Sequence, residues 1–473
     1  MAIDHKLLEL GRDCFYRETF GNEIFLTDVL GIIDGPLTLA SFVRAIVDLG
    51  GRGTTNLRVA LARDATVGGR FFPRGTMVDT GIDVPKGSFA PLGLAIRKVG
   101  LSFKVGITCA ACHSTVDPAT LDIVHGAPNN DLNAGALLAM ASNSAAFFTH
   151  TGISSLEPFI RPGGATVLDS RGNARGLPDA KALEDAVDAA LLQWPRGNFD
   201  SMVDLVNAPT QLPSSFTFES YPYNWSGGFI AGPFRGLSVQ NNNVHALNSD
   251  ALTHVGASPM LFDVDSEVYL ATVLQGAAAR HYRYVPGSER KPSEFFASVD
   301  PTPQAPALNE MVAMPTYPMA TLIAPDGFWT SSPGRPIWQQ INAMSAWQNT
   351  LVPPAAPITV AADMLAKGRA IFERAGCGDC HRGPAFTNHR VIPVEQIGSE
   401  PTRAAALRRT GATLVAPIAI AFDQQVPLPT TPRTLPVPTD DIDSDQIQLA
   451  FALGGSQGGY KVPGLLGLYW SAP

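Results

Sequence analysis

The pentapeptide Cys-x-x-Cys-His occurs twice in this 473-residue chain, as Cys109-Ala110-Ala111-Cys112-His113 and as Cys377-Gly378-Asp379-Cys380-His381. No other feature restricts the fold as much. Cysteines three apart in a helical turn face the same way, and the residue after them projects an imidazole beyond the pair. Two thiols and one imidazole so placed form the attachment pattern of a c-type haem, with thioethers to one porphyrin and the histidine on its iron. A Cys₄ zinc site is disfavoured because the two pairs lie far beyond the usual ribbon spacing. A redox dithiol needs one motif rather than two and gives no reason for the histidines. Cys14 is left over. An odd count of five cysteines does not look like a disulfide framework, and Cys14 reads as a small buried side chain.

A chain of this length that is 45% hydrophobic can bury large cores and is expected to form two or more domains. Its 44 glycines, 39 prolines and 16% charged residues suggest short elements joined by many loops. The net charge of -8 comes with no basic stretch to neutralise phosphates, which argues against nucleic acid. No apolar run reaches membrane-spanning length, and residues 134–148 read as a buried helix. The first residues show neither the basic nor the apolar region of a signal peptide.

Along the chain, residues 23–51 read as helices punctuated by Gly and Pro, and short strand-like runs precede Cys109. Further helices are expected at 135–148, at about 178–193 with Pro178 at the start, and at 336–351. Residues 208–260 suggest long ordered loops, and 301–318 a Pro-rich crossing loop or linker. The stretch "VPPAAPI" places a domain boundary near 355, giving an N-terminal unit 1–355 and a C-terminal unit 356–473. A helix leads into Cys377. Gly368 and Phe372 share one of its faces, so a close helix contact and a core aromatic are expected there.

The ligand on the far side of each iron decides between an electron carrier and an enzyme. The last methionine is Met364, so none follows the second motif. His389, eight residues past His381, must wrap the porphyrin edge to ligate, and an exposed histidine is the simpler reading. For the first motif the candidates are His125, His150, His245, His254 and His281. An open position would instead bind peroxide or dioxygen. Trp225 is a candidate relay or pocket wall, with an ordinary core aromatic as the alternative. Asn241, Asn242 and Asn243 are candidate pocket donors, with a polar loop as theirs.

The two motifs, with "FTNHRVIPVEQIGSEPTRA" (386–404), "GGYKVPGLLGLYWSAP" (458–473) and "HGAPNNDLNAGALLA" (125–139), resemble the bacterial di-haem cytochrome c peroxidase superfamily. That group includes the peroxidases, the di-haem enzymes that oxidise protein tryptophans, and the rubber oxygenases; the 125–139 stretch looks closest to the last branch. The resemblance covers 90–150 and 360–473 well and the middle loosely. It implies a mainly α fold of two c-type cytochrome haem domains, with long ordered loops and minor β. It implies two covalently bound haem c groups, with Cys109, Cys112, Cys377 and Cys380 as anchors and His113 and His381 as proximal iron ligands. Chemistry would take place at the N-terminal haem and electrons would pass through the C-terminal one. A calcium ion between the domains is common in such relatives, although no ligand set is readable here. In those relatives "SAP" is followed by a loop that covers the second haem, so a truncated C-terminus is expected. Haem attachment outside the cytoplasmic membrane implies a periplasmic or secreted location.

The expected function is that of an oxidoreductase acting on peroxide or dioxygen, with a redox partner protein or small-molecule oxidant. The alternative is a purely electron-transferring di-haem cytochrome. A structural metal-binding protein without haem is a third reading.

Overall fold

A computed structural model describes residues 3–19, 21–99, 102–201, 205–216, 249–255, 258–299, 310–312, 338–405, 419–421, 424–426 and 433–435. It also describes 443–471 apart from 444, 447, 448, 450, 451, 453 and 454. The expectation of a mainly α chain with two cytochrome-type haem domains is overturned. The described residues are 38% helix and 15% strand, and no haem-domain fold is identified. The strands form separate two-stranded sheets, nearly all of them antiparallel. The physical reason lies in the glycines and prolines that cut the apolar runs, which leave segments of three to six residues. Such segments pair locally as ribbons more readily than they extend as helices.

Helix α1 (His5–Arg17) begins at Asp4, whose carboxylate accepts from Leu7 N at 2.8 Å. Its partner is α7 (Trp338–Gln348), far away in sequence. Gly11 permits the approach, since a Cβ there would lie 2.0 Å from the Ala343 carbonyl oxygen. Between them in sequence come α2 (Leu39–Leu49), the hairpin β1 (Leu94–Val99) and β2 (Ser102–Ile107), and the one-turn helix α3 (Ala110–His113). A second ribbon, β3 (Ser114–Val116) with β4 (Ile123–His125), leaves α3 directly and pairs Ser114 with His125.

The expected helix at 135–148 is broken in two: α4 covers Ala134–Ala139, and a 3₁₀ segment covers Ser144–His150. Between them, the Asn143 side chain donates to the carbonyls of Val29 and Val273, both at 3.0 Å, and so leaves the helical path. Helix α5 (Ala180–Leu191) forms where Pro178 announced it, with Asp179 as cap. Helix α6 (Ser266–Leu274) is buried on nearly all sides and lies at the centre of the largest core. One ion pair is buried in this region, Lys104 with Asp28.

The C-terminal part is built differently. Helix α8 (Ala362–Arg374) runs to the single turn α9 (Cys377–Cys380). Strand β5 (Val391–Pro393) pairs with β6 (Gly459–Lys461), and the chain then reaches Trp470. The Trp470 indole donates to Pro354 O at 2.9 Å and packs on Val124, Ala127 and Phe216. The close helix contact expected at Gly368 is not made among the described residues, where a Cβ would meet open space. No helix among the described residues is long and apolar enough to cross a membrane.

Candidate functional site

Each motif folds as one helical turn with the same internal geometry. His113 N donates to Cys109 O at 3.0 Å, and His381 N to Cys377 O at 2.9 Å. Both pairs of thiols therefore stand one turn apart, with the imidazole just beyond them. Both imidazoles are also held in the same way. His113 Nδ1 lies 2.8 Å from the Pro213 carbonyl oxygen, and His381 Nδ1 lies 3.0 Å from that of Phe386. A carbonyl oxygen only accepts, so each Nδ1 carries a proton. At His113 burial also lowers the pKa, keeping the ring neutral. Its Nε2 is then a lone-pair donor, which is the state an iron ligand needs, with the ring oriented by a carbonyl behind it.

The surroundings of the two turns differ. Cys109 is 7% exposed and sits in a cluster with Phe15, Met344 and Trp347 from α1 and α7, with its Sγ 4.0 Å from Met344 Sδ. Cys112 lines an apolar cavity of about 400 Å³ together with Leu92, Leu94, Phe147, Phe199 and Ser249. That volume is within the range of small-molecule and cofactor sites. Gly93 lets the turn settle: its φ is +74°, and a Cβ there would lie 2.0 Å from Ala111 N. Burial pushes both thiols up to about 12. Burial of this kind disfavours the free thiolate that a redox dithiol needs. Below the motif, burial raises Asp83 to about 7. Its Oδ2 accepts from Thr115 Oγ1 at 2.6 Å and Val116 N at 3.0 Å, while Oδ1 has no partner among the described residues.

At the second turn, Cys377, Cys380 and His381 are only partly buried. Helix α8 leaves Met364, Leu365 and Ile371 more than half exposed. Phe372 meets Phe386 edge-on at 6.3 Å. Phe386 has φ +54°, a left-handed conformation that costs a bulky residue free energy and aims its carbonyl at His381.

The far-face candidates are dispersed. His125 lies beside the first turn, but its Nδ1 is 2.5 Å from the Tyr16 hydroxyl. His254 is fully buried in the main core, with Nδ1 3.2 Å from the Tyr269 hydroxyl and its ring 6.2 Å from His150. His150 stacks at 4.3 Å on Phe147, which forms part of the cavity wall. His281 is exposed and His389 half-buried. His245, Trp225 and Asn241–Asn243 lie outside the described residues. Sequence reasoning missed Tyr16, Pro213, Met344 and Trp347. Each reaches the first motif from 93 or more positions away, and no spacing signals that. No cluster of three or more His, Cys, Asp or Glu side chains fit to hold a metal ion occurs among the described residues.

The chain matches no family model, no curated protein and no solved structure.

Proposed function

We propose that this protein is a periplasmic or secreted oxidoreductase carrying two covalently attached haem c groups. Cys109 and Cys112 anchor the first and Cys377 and Cys380 the second, with His113 and His381 as proximal ligands. The observation that carries this reading is the matched pair of turns, each with its histidine Nδ1 bound to a backbone carbonyl. A dithiol site gives no reason for that repeated orientation. Bound haem supplies one-electron and oxygen or peroxide chemistry, tuned by its ligands and surroundings.

The protein's own residues divide the labour. Pro213 O and Phe386 O fix the tautomer of His113 and His381. The apolar cavity beside Cys112 would favour a small neutral oxidant, peroxide or dioxygen, over a charged one. The exposed face of α8 leaves the second site open to a redox partner, so electrons enter there. The test is the visible spectrum of protein matured with haem. Absorption that survives acidic organic extraction is expected, and cyanide or peroxide should perturb one of the two haems. Full extraction of colour overturns the reading. Two haems that bind no added ligand would leave a pure electron carrier.

A further inference from the structure

Four side chains gather beside the first motif, and the proposed function uses none of them. The Tyr16 hydroxyl lies 2.5 Å from His125 Nδ1 and 2.9 Å from Ser114 Oγ. Ser114 is the residue after His113 and is fully buried. The Tyr16 and His125 rings meet edge-on at 5.6 Å. Trp347 stands against both, at 6.0 and 6.1 Å, and shares a buried cluster with Cys109 and Met344. A phenol hydrogen-bonded to an imidazole nitrogen, one residue from an iron-ligand position, is placed for more than packing.

We propose that Tyr16 and His125 form a redox pair beside the first motif, in which Tyr16 gives one electron to an oxidant at Cys109–His113 while its phenolic proton passes to His125 Nδ1. The inference rests on the haem reading above. The electrons balance as follows. Hydrogen peroxide takes up two electrons, with two protons from solvent, to become two water molecules. Tyr16 would supply one electron and bound haem the other; the O–H bond of Tyr16 breaks and an N–H bond forms on His125. The local electrostatics suit this. Burial raises the phenol to about 12, so it stays protonated, and burial lowers the imidazole, so it stays neutral with a vacant nitrogen. Loss of an electron makes a phenol strongly acidic, and an acceptor already in place removes the cost of a separate proton release. Trp347 packs against both rings and shares the buried cluster of Cys109.

The experiment is electron paramagnetic resonance of the haem-loaded full chain, frozen after mixing with hydrogen peroxide. A narrow organic radical signal is expected, and ring-deuterated tyrosine should narrow it further. Tyr16→Phe should abolish it with the haem absorption unchanged, which also shows that the variant folds. His125→Phe should reduce its yield severalfold. Absence of the signal in the wild type, or its persistence in Tyr16→Phe, overturns the assignment. Loss in Tyr16→Phe with no change in His125→Phe overturns the pair. If the chain takes up no haem, the proposed function fails by itself. The pair is then tested by flash oxidation with a ruthenium trisbipyridine complex and persulfate. There a tyrosyl signal lost in Tyr16→Phe and slowed in deuterium oxide supports proton-coupled oxidation, and a signal unaffected by either contradicts it.

Discussion

The two Cys-x-x-Cys-His turns share a backbone and a histidine orientation, yet one is packed inside the protein and the other stands at its surface. Around Cys109 the chain brings α1, α7, the β1–β2 hairpin and Pro213 together from distant sequence. Around Cys377 it supplies the local helix α8, the Phe386 loop and the β5–β6 ribbon. The comparison separates what the motif itself dictates from what the context adds. The two turns present their thiols and imidazole alike. The first borders an apolar cavity, has thiols raised to about 12 and lies beside a Tyr–His pair. Such surroundings suit chemistry that must exclude water, and an open edge suits electron exchange with a partner.

The largest expected effect comes from removing the anchors. Cys109→Ser with Cys112→Ser should lose one haem of two and destabilise the whole N-terminal core. A buried, unsatisfied hydroxyl alone costs about 1–3 kcal/mol. Cys377→Ser with Cys380→Ser should lose the other haem with little change in thermal midpoint. Equal destabilisation by the two double variants would break the distinction. Next in size is a pair of glycines. Gly93→Ala forces a Cβ against Ala111, so a loss of about 1–3 kcal/mol and poorer haem uptake at the first turn are expected in denaturant titration. Gly368→Ala should instead stabilise by about 0.5–1 kcal/mol, since that helical position faces open space.

Asp83 sharpens the contrast through pH. Its folded pKa, about 7, lies above the unfolded value of 3.8. An acid of this kind contributes stability that is complete below the unfolded value and lost as pH rises through the folded one. Asp83→Asn keeps the acceptor for Thr115 and Val116. It should flatten the fall in stability between pH 4 and 7 and raise the thermal midpoint at pH 8, by about 1–3 kcal/mol in free energy. An unchanged pH profile would remove Asp83 as a buried acid. The smallest effect is at Phe386→Gly, where relief of a left-handed φ, about 1 kcal/mol, offsets the lost edge contact with Phe372, about 0.5–1.5 kcal/mol. Stability should stay within about 1 kcal/mol and the second haem should be retained. Loss of that haem would show that the Phe386 ring, and not its carbonyl alone, holds the site.

Some of this was legible in the sequence for local reasons. The two turns, α5 after Pro178 and α7 within 336–351 follow from spacing, capping and breakers confined to a few residues. The expectation of a mainly α fold failed, because runs of three to six apolar residues suit a ribbon or a buried helix equally. Asn143 breaks the helix expected at 135–148 through bonds to Val29 and Val273, which no local pattern announces. The same holds for the candidate site. The six motif residues declare themselves, whereas Tyr16, Trp347 and Pro213 become neighbours only when α1, α7 and the 212–216 segment meet. His125 is one of five far-face candidates in the sequence; that pairing with Ser114 across the β3–β4 ribbon sets it against Tyr16 is announced by no local pattern.

The central claim is that both turns anchor haem covalently. Proteolysis of the full chain, matured with haem, followed by mass spectrometry of the absorbing peptides tests it most directly. Two haem-bearing peptides are expected, one spanning Cys109–His113 and one spanning Cys377–His381, each carrying a single haem. Recovery of both peptides with free thiols or bound zinc would contradict the account.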